Sequence, residues 1–433
     1  MEFTESLALR TDEILDRCTK CGRCVEACPM PGPAGIDIAA PGDIAAGVLD
    51  IIRTGSGPAD SEAWVSACSG SGACIDVCND GINPRFMIRL ARVARSAKKE
   101  SGAIQADGKA RFQKMARGVR VLSRLQLSPL ELARLTRAPK GQEPEEPEIV
   151  FYTGCNVLKT PHIALLCLDV LDRLDVRYAV YGGPSDCCGI LQMRAGDVAN
   201  AGRQGSRTVE RFFDTGAEKV LSWCPTCNIQ FGEAVIPSTV ADDNFGMTMF
   251  SVYLESRMDE LKKLFVHPVN KRVGLHEHAG ANGVTESVIR ILRQIPGLEF
   301  VDLEMPTLGY QCTSLSGTPA YQKSAHDDQL RVAAEAGVTT LAGIYHSCHR
   351  DFCAHEKEWP FEVVNFMELV GEAMGVTRPD MFKHFKLMQD VDAVIAECDD
   401  MIEQHGLDRD EVREVLIADM FGGKMPVGKG AAA

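Results

Sequence analysis

The sequence of 433 residues contains no apolar run close to the ~20 residues that a membrane-spanning helix needs. Its first residues, MEFTESLALRTDE, have neither the basic segment nor the apolar segment of a signal peptide. No G-x-G-x-x-G motif follows a predicted strand, so we expect no dinucleotide cofactor on this chain. A net basic charge is also lacking, and the value of −14 argues against a nucleic-acid partner. These absences predict a cytoplasmic protein, held at a membrane, if at all, through a partner.

The negative charge is unevenly distributed along the chain. Residues 85 to 140 contain 15 Lys and Arg against 3 Asp and Glu, and hydrophobic residues recur there at helical spacing. Such a segment is either a pair of solvated basic helices or a docking face for an acidic redox partner, because complementary charge speeds encounter. Both interpretations stay open at the level of sequence.

Cysteine is abundant instead, with 17 residues. Seven lie between Cys18 and Cys78, and six between Cys155 and Cys227. Reduced cytosol disfavours structural disulfides, so clustered cysteines in a cytosolic chain more often bind metal or take part in redox chemistry.

The first group begins with CTKCGRCVEACP, a C-x2-C-x2-C-x3-C-P run at residues 18 to 29. This spacing is typical of a two-cluster ferredoxin, in which the fourth cysteine of each run ligates the other cluster. Zinc fits less well, because four-ligand zinc sites usually join two separated C-x2-C pairs. The crossed arrangement predicts a [4Fe-4S] cluster on Cys18, Cys21, Cys24 and Cys78, and a second cluster on Cys28, Cys68 and Cys74.

The second run, CSGSGACIDVC, has Ser71 where its second cysteine is expected. Ser71 could ligate iron as an alkoxide, although iron in such clusters prefers soft thiolate. Water or hydroxide could instead occupy the fourth iron, or that iron could be absent. We favour a [3Fe-4S] or a labile [4Fe-4S] cluster here over loss of the whole cluster, since three ligands remain.

After the Pro- and Glu-rich segment GQEPEEPE, strands and helices alternate, which predicts an α/β fold with a largely parallel sheet. The segment EIVFYTGC, the strand before DCCG and the strand AEKVLSWC each end at cysteines. VGLHEHAG, GYQCTS and LAGIYHSCHRD repeat this series at a constant offset of 124 residues, from 155 to 279, 188 to 312 and 224 to 348. Residues 148 to 375 are therefore predicted to be two copies of one unit.

Five cysteines of the first copy, Cys155, Cys187, Cys188, Cys224 and Cys227, fall on three loops after successive strands. In this pattern the chain resembles the CCG domain of the heterodisulfide reductase B subunit, and the ferredoxin-like part resembles the C subunit of that enzyme. The resemblance implies that these five cysteines ligate a noncubane [4Fe-4S] cluster and form the catalytic centre.

Composition along the chain, together with this resemblance, predicts a domain order. An α-helical two-cluster ferredoxin-type domain would span residues 1–100 and a basic helical linker 101–147. The intact CCG domain would span 148–270, the degenerate one 271–375 and an acidic helical tail 376–433, ending in a flexible GKGAAA.

The second copy departs from the family pattern. At the five corresponding positions it has Ala279, Gln311, Cys312, Cys348 and Asp351. Two cysteines cannot hold a noncubane cluster. However, His276, His278, Cys312 and Cys348 make a plausible tetrahedral zinc site. A copy that serves only as scaffold is an equally good interpretation, and the nearby His346, His349, Cys353 and His355 leave the ligands open.

Three functions are compatible with this composition. The first is a heterodisulfide-reductase-like subunit that receives electrons from a flavin-containing subunit or another donor and reduces a small disulfide or related sulfur compound. The second is the iron–sulfur subunit of a flavin-dependent glycolate or lactate dehydrogenase, which relays electrons to a quinone-linked membrane partner. The third, a metal-stabilised scaffold without turnover, does not explain why the chain would carry a series of redox clusters.

Overall fold

The N-terminal part of the chain is entirely α-helical. The structure is a computed structural model that describes residues 2–239, 246–279, 283–307 and 309–422, so the GKGAAA end lies outside the described residues. The helices before the first strand are α1 (Phe3–Arg17), α2 (Arg23–Glu26), α3 (Pro41–Thr54), α4 (Ala59–Ala67), α5 (Ala73–Asp76), α6 (Pro84–Ser96), α7 (Ser101–Arg124) and α8 (Pro129–Arg134).

Helices α3, α4 and α6 pack together as the core of this part. The side chains of Val48, Trp64 and Phe86 are almost completely buried there. Helix α6 begins at Pro84, because proline suits the first helical position and the Asn83 side chain accepts a hydrogen bond from the Phe86 amide. The core holds the two cysteine-bearing loops before α2 and α5 against each other.

The first sheet contains four parallel strands in the order β2-β1-β3-β4. Its strands are β1 (Ile149–Gly154), β2 (Tyr178–Gly182), β3 (Lys219–Ser222) and β4 (Met247–Met249). The accompanying helices are α9 (Pro161–Arg173), α10 (Ile190–Ala195), α11 (Val198–Asp214), α12 (Pro225–Gln230), α13 (Ile236–Thr239), α14 (Phe250–Ser256) and α15 (Met258–Leu264). Every residue of β1 is buried, as expected for a central parallel strand covered on both faces.

The second sheet repeats this topology in the order β6-β5-β7-β8, again with parallel strands. Its strands are β5 (Arg272–His276), β6 (Glu299–Val301), β7 (Thr340–Gly343) and β8 (Glu362–Asn365). Its helices are α16 (Val284–Leu292), α17 (Pro319–Glu335), α18 (His346–Phe352) and α19 (Phe366–Met374). The prediction of an α/β protein with duplicated parallel sheets behind an α-helical ferredoxin-type part is confirmed.

The strand register revises one part of the predicted repeat. Ile149 of β1 pairs with Lys219 of β3, and Val273 of β5 pairs with Thr340 of β7. The offset of 124 residues therefore holds from 149 to 273, but it is 121 residues from 219 to 340. The chain between β5 and β7 is therefore three residues shorter than the chain between β1 and β3.

This change moves the cysteine correspondence in the third loop. Cys224 precedes α12 directly and Cys227 is its third residue. Tyr345 precedes α18 in the same way, and Cys348 is the third residue of that helix. Cys348 therefore corresponds to Cys227 rather than to Cys224, and the buried Tyr345 takes the place of Cys224.

The basic segment is packed against the rest of the chain. Helix α7 contacts α10 on one side and the C-terminal helices on the other. Those C-terminal helices are α20 (Met381–Met388), α21 (Val391–Glu397), α22 (Asp399–Gln404) and α23 (Arg409–Val415). Arg117 and Arg120 form ion pairs with Glu411 of α23. Part of the basic charge is thus matched by this chain's own acidic tail, an outcome that neither interpretation of the sequence included.

Candidate metal centres

The first predicted cysteine set assembles around helix α2. Cys18 ends α1, Cys24 lies on α2, and Cys78 follows α5. Burial, and then the thiolates of Cys18, Cys21 and Cys78, raise the pKa of the Cys24 thiol to about 12. The structure thus brings the first three cysteines of the first run close to the last cysteine of the second run. This is the crossed arrangement expected of a two-cluster ferredoxin.

The turn in this loop requires a glycine. Gly22 has a φ of 79°, and a Cβ atom there would lie 2.5 Å from the Gly42 amide nitrogen. A left-handed backbone and a close chain approach are both conditions that only glycine meets without strain. The loop can therefore fold tightly enough for three of its thiols to face one centre.

The second predicted set shares one small cavity. Cys28, Cys68, Ser71 and Cys74 all line it, together with the buried Trp64. Burial, and then the thiolates of Cys68 and Cys28, raise the pKa of the Cys74 thiol. Ser71 is therefore placed beside the three thiols, at the position of the missing ligand.

The loop around Ser71 is fixed on both sides by glycines with left-handed backbones, Gly70 with a φ of 69° and Gly72 with a φ of 89°. A Cβ atom on Gly70 would lie 2.6 Å from the ring of Tyr310. Arg85 donates a hydrogen bond of 3.1 Å to the Gly70 carbonyl oxygen. The second repeat unit thus presses directly on the cysteine loop of the N-terminal part, a contact that sequence reasoning missed.

The five cysteines of the first sheet unit meet at one edge of that sheet. Because β2, β1 and β3 are adjacent and parallel, the loops after their carboxyl ends converge. All five side chains are buried. Gly154 ends β1 with a φ of 74°, and a Cβ atom there would lie 2.9 Å from Cys224 Cβ and 3.5 Å from Cys227 Sγ. The missing side chain at Gly154 therefore leaves the room into which the third loop fits.

The thiols of this set interact directly with one another. Hydrogen bonds from Cys155 and then Cys188 lower the pKa of the Cys187 thiol well below its ordinary value. The same contacts raise the pKa values of Cys155 and Cys188. A hydrogen bond from Cys227 likewise lowers the pKa of Cys224. Five mutually close, water-excluded thiols on three loops are a donor set suited to a soft multinuclear metal centre rather than to one small ion.

A basic cavity of about 380 Å³ is lined by residues of α6, α10 and α12. Cys68 and Gly70 line one wall, and Arg194 of α10 and Thr226, which lies between Cys224 and Cys227 in sequence, line another. Tyr310 closes it from the second repeat unit. The arginines that line the cavity are Arg85, Arg89, Arg92, Arg111 and Arg194.

Only part of this positive charge is neutralised inside the protein. Glu233 forms ion pairs with Arg85 at 2.7 Å and Arg89 at 3.2 Å. Arg92 donates to main-chain carbonyl oxygens, and Arg194 donates to the Tyr310 hydroxyl at 3.1 Å. Hydrogen bonds to neutral oxygens leave the guanidinium charge in place, so the cavity suits an anionic molecule.

The fourth predicted group lies in the second repeat unit. One ligand atom each from His276, His278, Cys312 and Cys348 lie within 4.8 Å of one another, and all four residues are buried. His276 Nε2 is 3.0 Å from Cys312 Sγ, and His278 Nε2 is 2.9 Å from Cys348 Sγ. The structure therefore brings together all four residues that the sequence suggested.

The other ring nitrogens of this group face oxygen atoms. His276 Nδ1 is 3.1 Å from Gln329 Oε1, and His278 Nδ1 is 3.2 Å from the Gly309 carbonyl oxygen. Metal-ligating histidines usually have such an outer partner, which fixes the ring orientation. Of the additional residues in the same region, His349 belongs to a separate group with Asp380, while burial lowers the pKa of His346 to about 3.

Comparison with known proteins agrees with these motifs. A family model described as a 4Fe-4S dicluster domain matches residues 13–82, and a model of the cysteine-rich CCG domain matches residues 149–232. The D subunit of dihydromethanophenazine:CoB–CoM heterodisulfide reductase from Methanosarcina barkeri is 24% identical over 400 residues, which cover 84% of this chain and 95% of that protein. The corresponding protein of Methanosarcina acetivorans is also 24% identical, with the same coverage.

A further relative is named for a different activity. The B subunit of fumarate reductase (CoM/CoB) from Methanothermobacter marburgensis is 26% identical over 333 residues, which cover 72% of this chain and 62% of that protein. The expected resemblance is confirmed by these matches. The chain joins a 4Fe-4S dicluster domain to a CCG domain and is an iron–sulfur protein related to subunits of oxidoreductase complexes.

Proposed function

From its relation to the D subunit of heterodisulfide reductase, we propose that this protein is an oxidoreductase subunit that reduces a small anionic disulfide or a related sulfur compound. One observation carries the proposal. The basic cavity is lined both by Cys68 of the second ferredoxin-type set and by residues of α10, which follows Cys188, and of α12, which contains Cys227. A molecule in this cavity would contact Cys68 of the second ferredoxin-type set and Thr226, the residue between Cys224 and Cys227 in sequence.

The residues present suit three iron–sulfur clusters. We assign a [4Fe-4S] cluster to the first crossed set, a [3Fe-4S] or labile [4Fe-4S] cluster to the set with Ser71, and a noncubane [4Fe-4S] cluster to the five CCG cysteines. When bound, these clusters supply one-electron transfer. The proposed domains are those of the sequence analysis, 1–100, 101–147, 148–270, 271–375 and 376–433.

The protein's own side chains would bind and orient the substrate. Arg194 and Arg92 offer guanidinium groups to an anionic substituent, and Thr226 offers a hydroxyl from the C-x2-C helix. Reduction of a disulfide breaks one S–S bond, consumes two electrons and two protons, and yields two thiols. The electrons would come from a flavin-containing subunit or another redox partner, because no dinucleotide motif is present in this sequence.

The two repeat units would have different roles. The second unit retains two cysteines in place of five, so a symmetric pair of catalytic clusters is not proposed. We assign to His276, His278, Cys312 and Cys348 a structural zinc ion, because a group of two histidines and two cysteines is a usual tetrahedral zinc set. The second unit also contributes Tyr310 to the wall of the cavity.

The test uses the full chain, purified without oxygen, and two small disulfides of opposite charge. Dithiodipropionate is a dianion and cystamine is a dication. The dianion should change the EPR spectrum of the CCG set at low concentration, and cystamine should do so weakly. Arg194→Gln should raise the half-saturating concentration of the dianion by about tenfold or more, since a charge-assisted hydrogen bond contributes about 1.5–3 kcal/mol.

A relay function is the second candidate. The similarity to the B subunit of fumarate reductase (CoM/CoB) favours it, because that relative is named for a different substrate. The chain would then pass electrons between a flavin-dependent subunit and a quinone-linked membrane partner. Over the described residues, no helix combines the length and apolar character needed to cross a bilayer. If no thiol, disulfide or persulfide alters the spectrum, the reductase proposal fails and the relay remains.

A scaffold without turnover makes a separate prediction. Its metal content would be low or would not respond to reductant. Anaerobic protein that holds about ten or more irons and reduces reversibly contradicts that interpretation.

A further inference from the structure

A second group of metal-binding side chains lies outside all the cysteine sets. One ligand atom each from His162, His349, Glu368 and Asp380 lie within 4.8 Å of one another. His162 and His349 are only 2% and 1% exposed. We propose that these four residues bind a divalent zinc ion that joins the two repeat units to the C-terminal helices.

The strongest observation concerns His162. Neither of its ring nitrogens has a hydrogen-bond partner among the residues that the structure describes, although the side chain is buried. Its Nε2 is 3.6 Å from Glu368 Oε1, and its Nδ1 is 3.5 Å from Asp380 Oδ1. Buried polar groups normally have hydrogen-bond partners, so a buried histidine with none at either ring nitrogen suggests a missing ligand.

These distances agree with ligation of a common ion. Zinc binds histidine nitrogen at about 2.0–2.1 Å and carboxylate oxygen at about 2.0–2.2 Å, so two ligands at a tetrahedral angle lie about 3.4 Å apart. The separations of 3.5 and 3.6 Å are close to this value and too long for good hydrogen bonds. They start from different ring nitrogens of His162, so only one of them would be a distance between two ligand atoms. His349 Nε2 and Asp380 Oδ2, now 2.6 Å apart, would separate slightly as both turn to the ion.

The charge balance also favours a cation. Two carboxylates face two histidines here. The nearest lysine, Lys383, is engaged elsewhere, since its Nζ donates to Glu356 Oε2 at 3.1 Å and to the Val363 carbonyl oxygen at 3.0 Å. A divalent cation would neutralise the two carboxylates.

The four ligands come from separate parts of the fold. His162 is the second residue of α9 in the first unit, while His349 and Glu368 lie on α18 and α19 of the second unit. Asp380 precedes α20 and also accepts a hydrogen bond from the Lys383 amide. With four protein ligands, the site has no open position of the kind that catalytic zinc keeps, so its role is to hold these segments together.

Zinc content and zinc coordination test this proposal in the full chain, purified without oxygen from zinc-containing medium. His162→Gln should lose about one zinc per chain while its iron content is unchanged. His405→Gln is the matched control, because His405 binds the Leu127 carbonyl oxygen away from both groups and should lose none. An iron-replete His162→Gln protein with the zinc content of the parent would overturn the proposal.

X-ray absorption at the zinc edge separates this site from the zinc proposed for the second repeat unit. The site at His162 contains only nitrogen and oxygen ligands, whereas the other contains two sulfurs. The parent protein should therefore show one sulfur or fewer per zinc on average. Two sulfurs around every zinc would refute the site at His162 even if the His162→Gln variant fails to fold, and would leave the other zinc site standing.

Discussion

The Ser71→Cys substitution should restore a complete four-thiolate set at the second ferredoxin-type position. Ser71 lines the same cavity as Cys28, Cys68 and Cys74. Its backbone is not in the left-handed region, in contrast to the glycines on either side, so cysteine can replace it without backbone strain. We expect the cluster to change from three irons to four.

The expected magnitude is one iron per chain. The other two sets would contribute four irons each, so the total should rise from about 11 to about 12. A change of this size is within reach of parallel iron and protein determinations, but EPR gives the larger contrast. An oxidised three-iron cluster is paramagnetic and an oxidised four-iron ferredoxin cluster is not, so the signal of the oxidised parent should disappear.

Two variants complete the experiment. Ser66→Cys places a cysteine on the exposed end of α4, where the serine donates to the Glu62 carbonyl oxygen, and it should change neither the iron content nor the signal. Ser71→Ala should keep the parent signal, because the serine oxygen is not needed to hold three irons. If Ser71→Cys has the iron content and the EPR spectrum of the parent, Ser71 does not determine the cluster type.

Three further predictions concern the CCG unit and its surroundings. Gly154→Ala should lower the free energy of unfolding by about 1–2 kcal/mol, because residue 154 has a left-handed backbone. It should also lower the iron content, because the new Cβ atom would clash with Cys224. Thermal unfolding measures the first effect and iron analysis the second. Glu233→Gln should destabilise the protein by about 3–5 kcal/mol in chemical denaturation, since two arginines lose their buried partner. Burial lowers the pKa of Lys159 to about 8 despite its contact with Asp419. Between pH 8 and 10.5 the unfolded state therefore binds more protons than the folded state, and the free energy of unfolding should rise with pH by up to about 3 kcal/mol. Lys159→Met should lack this rise, and an equal rise in both proteins would contradict the assignment.

The sequence was sufficient for the features that depend on local pattern. Strands that end at cysteines predicted the parallel sheets, and the cysteine spacing predicted which thiols of the two runs would meet. The position of Ser71 beside three thiols was also expected from spacing. Each of these inferences requires only that neighbouring parallel strands present their following loops at one edge.

Features that depend on the packing of distant segments could not be predicted in this way. The constant offset of 124 residues made Cys348 the counterpart of Cys224 in the repeat. Strand pairing makes it the counterpart of Cys227 instead, because loop lengths change without disturbing the sheet. His162 and Asp380 are more than 200 residues apart, and no periodic pattern relates them. The wall that Tyr310 builds depends on how the second unit docks on the N-terminal part.

The contact between the two units makes it difficult for the second unit to regain the cysteine at position 311. Gln311 stands at a position where the family pattern has a cysteine, and its Nε2 donates a hydrogen bond of 3.0 Å to Thr226 in the C-x2-C helix of the first unit. Its Oε1 accepts a hydrogen bond from Ser347 at 3.1 Å. A return to cysteine at position 311 would break both contacts before the other missing ligands were present, so this step toward a second cluster would weaken the contact between the two units.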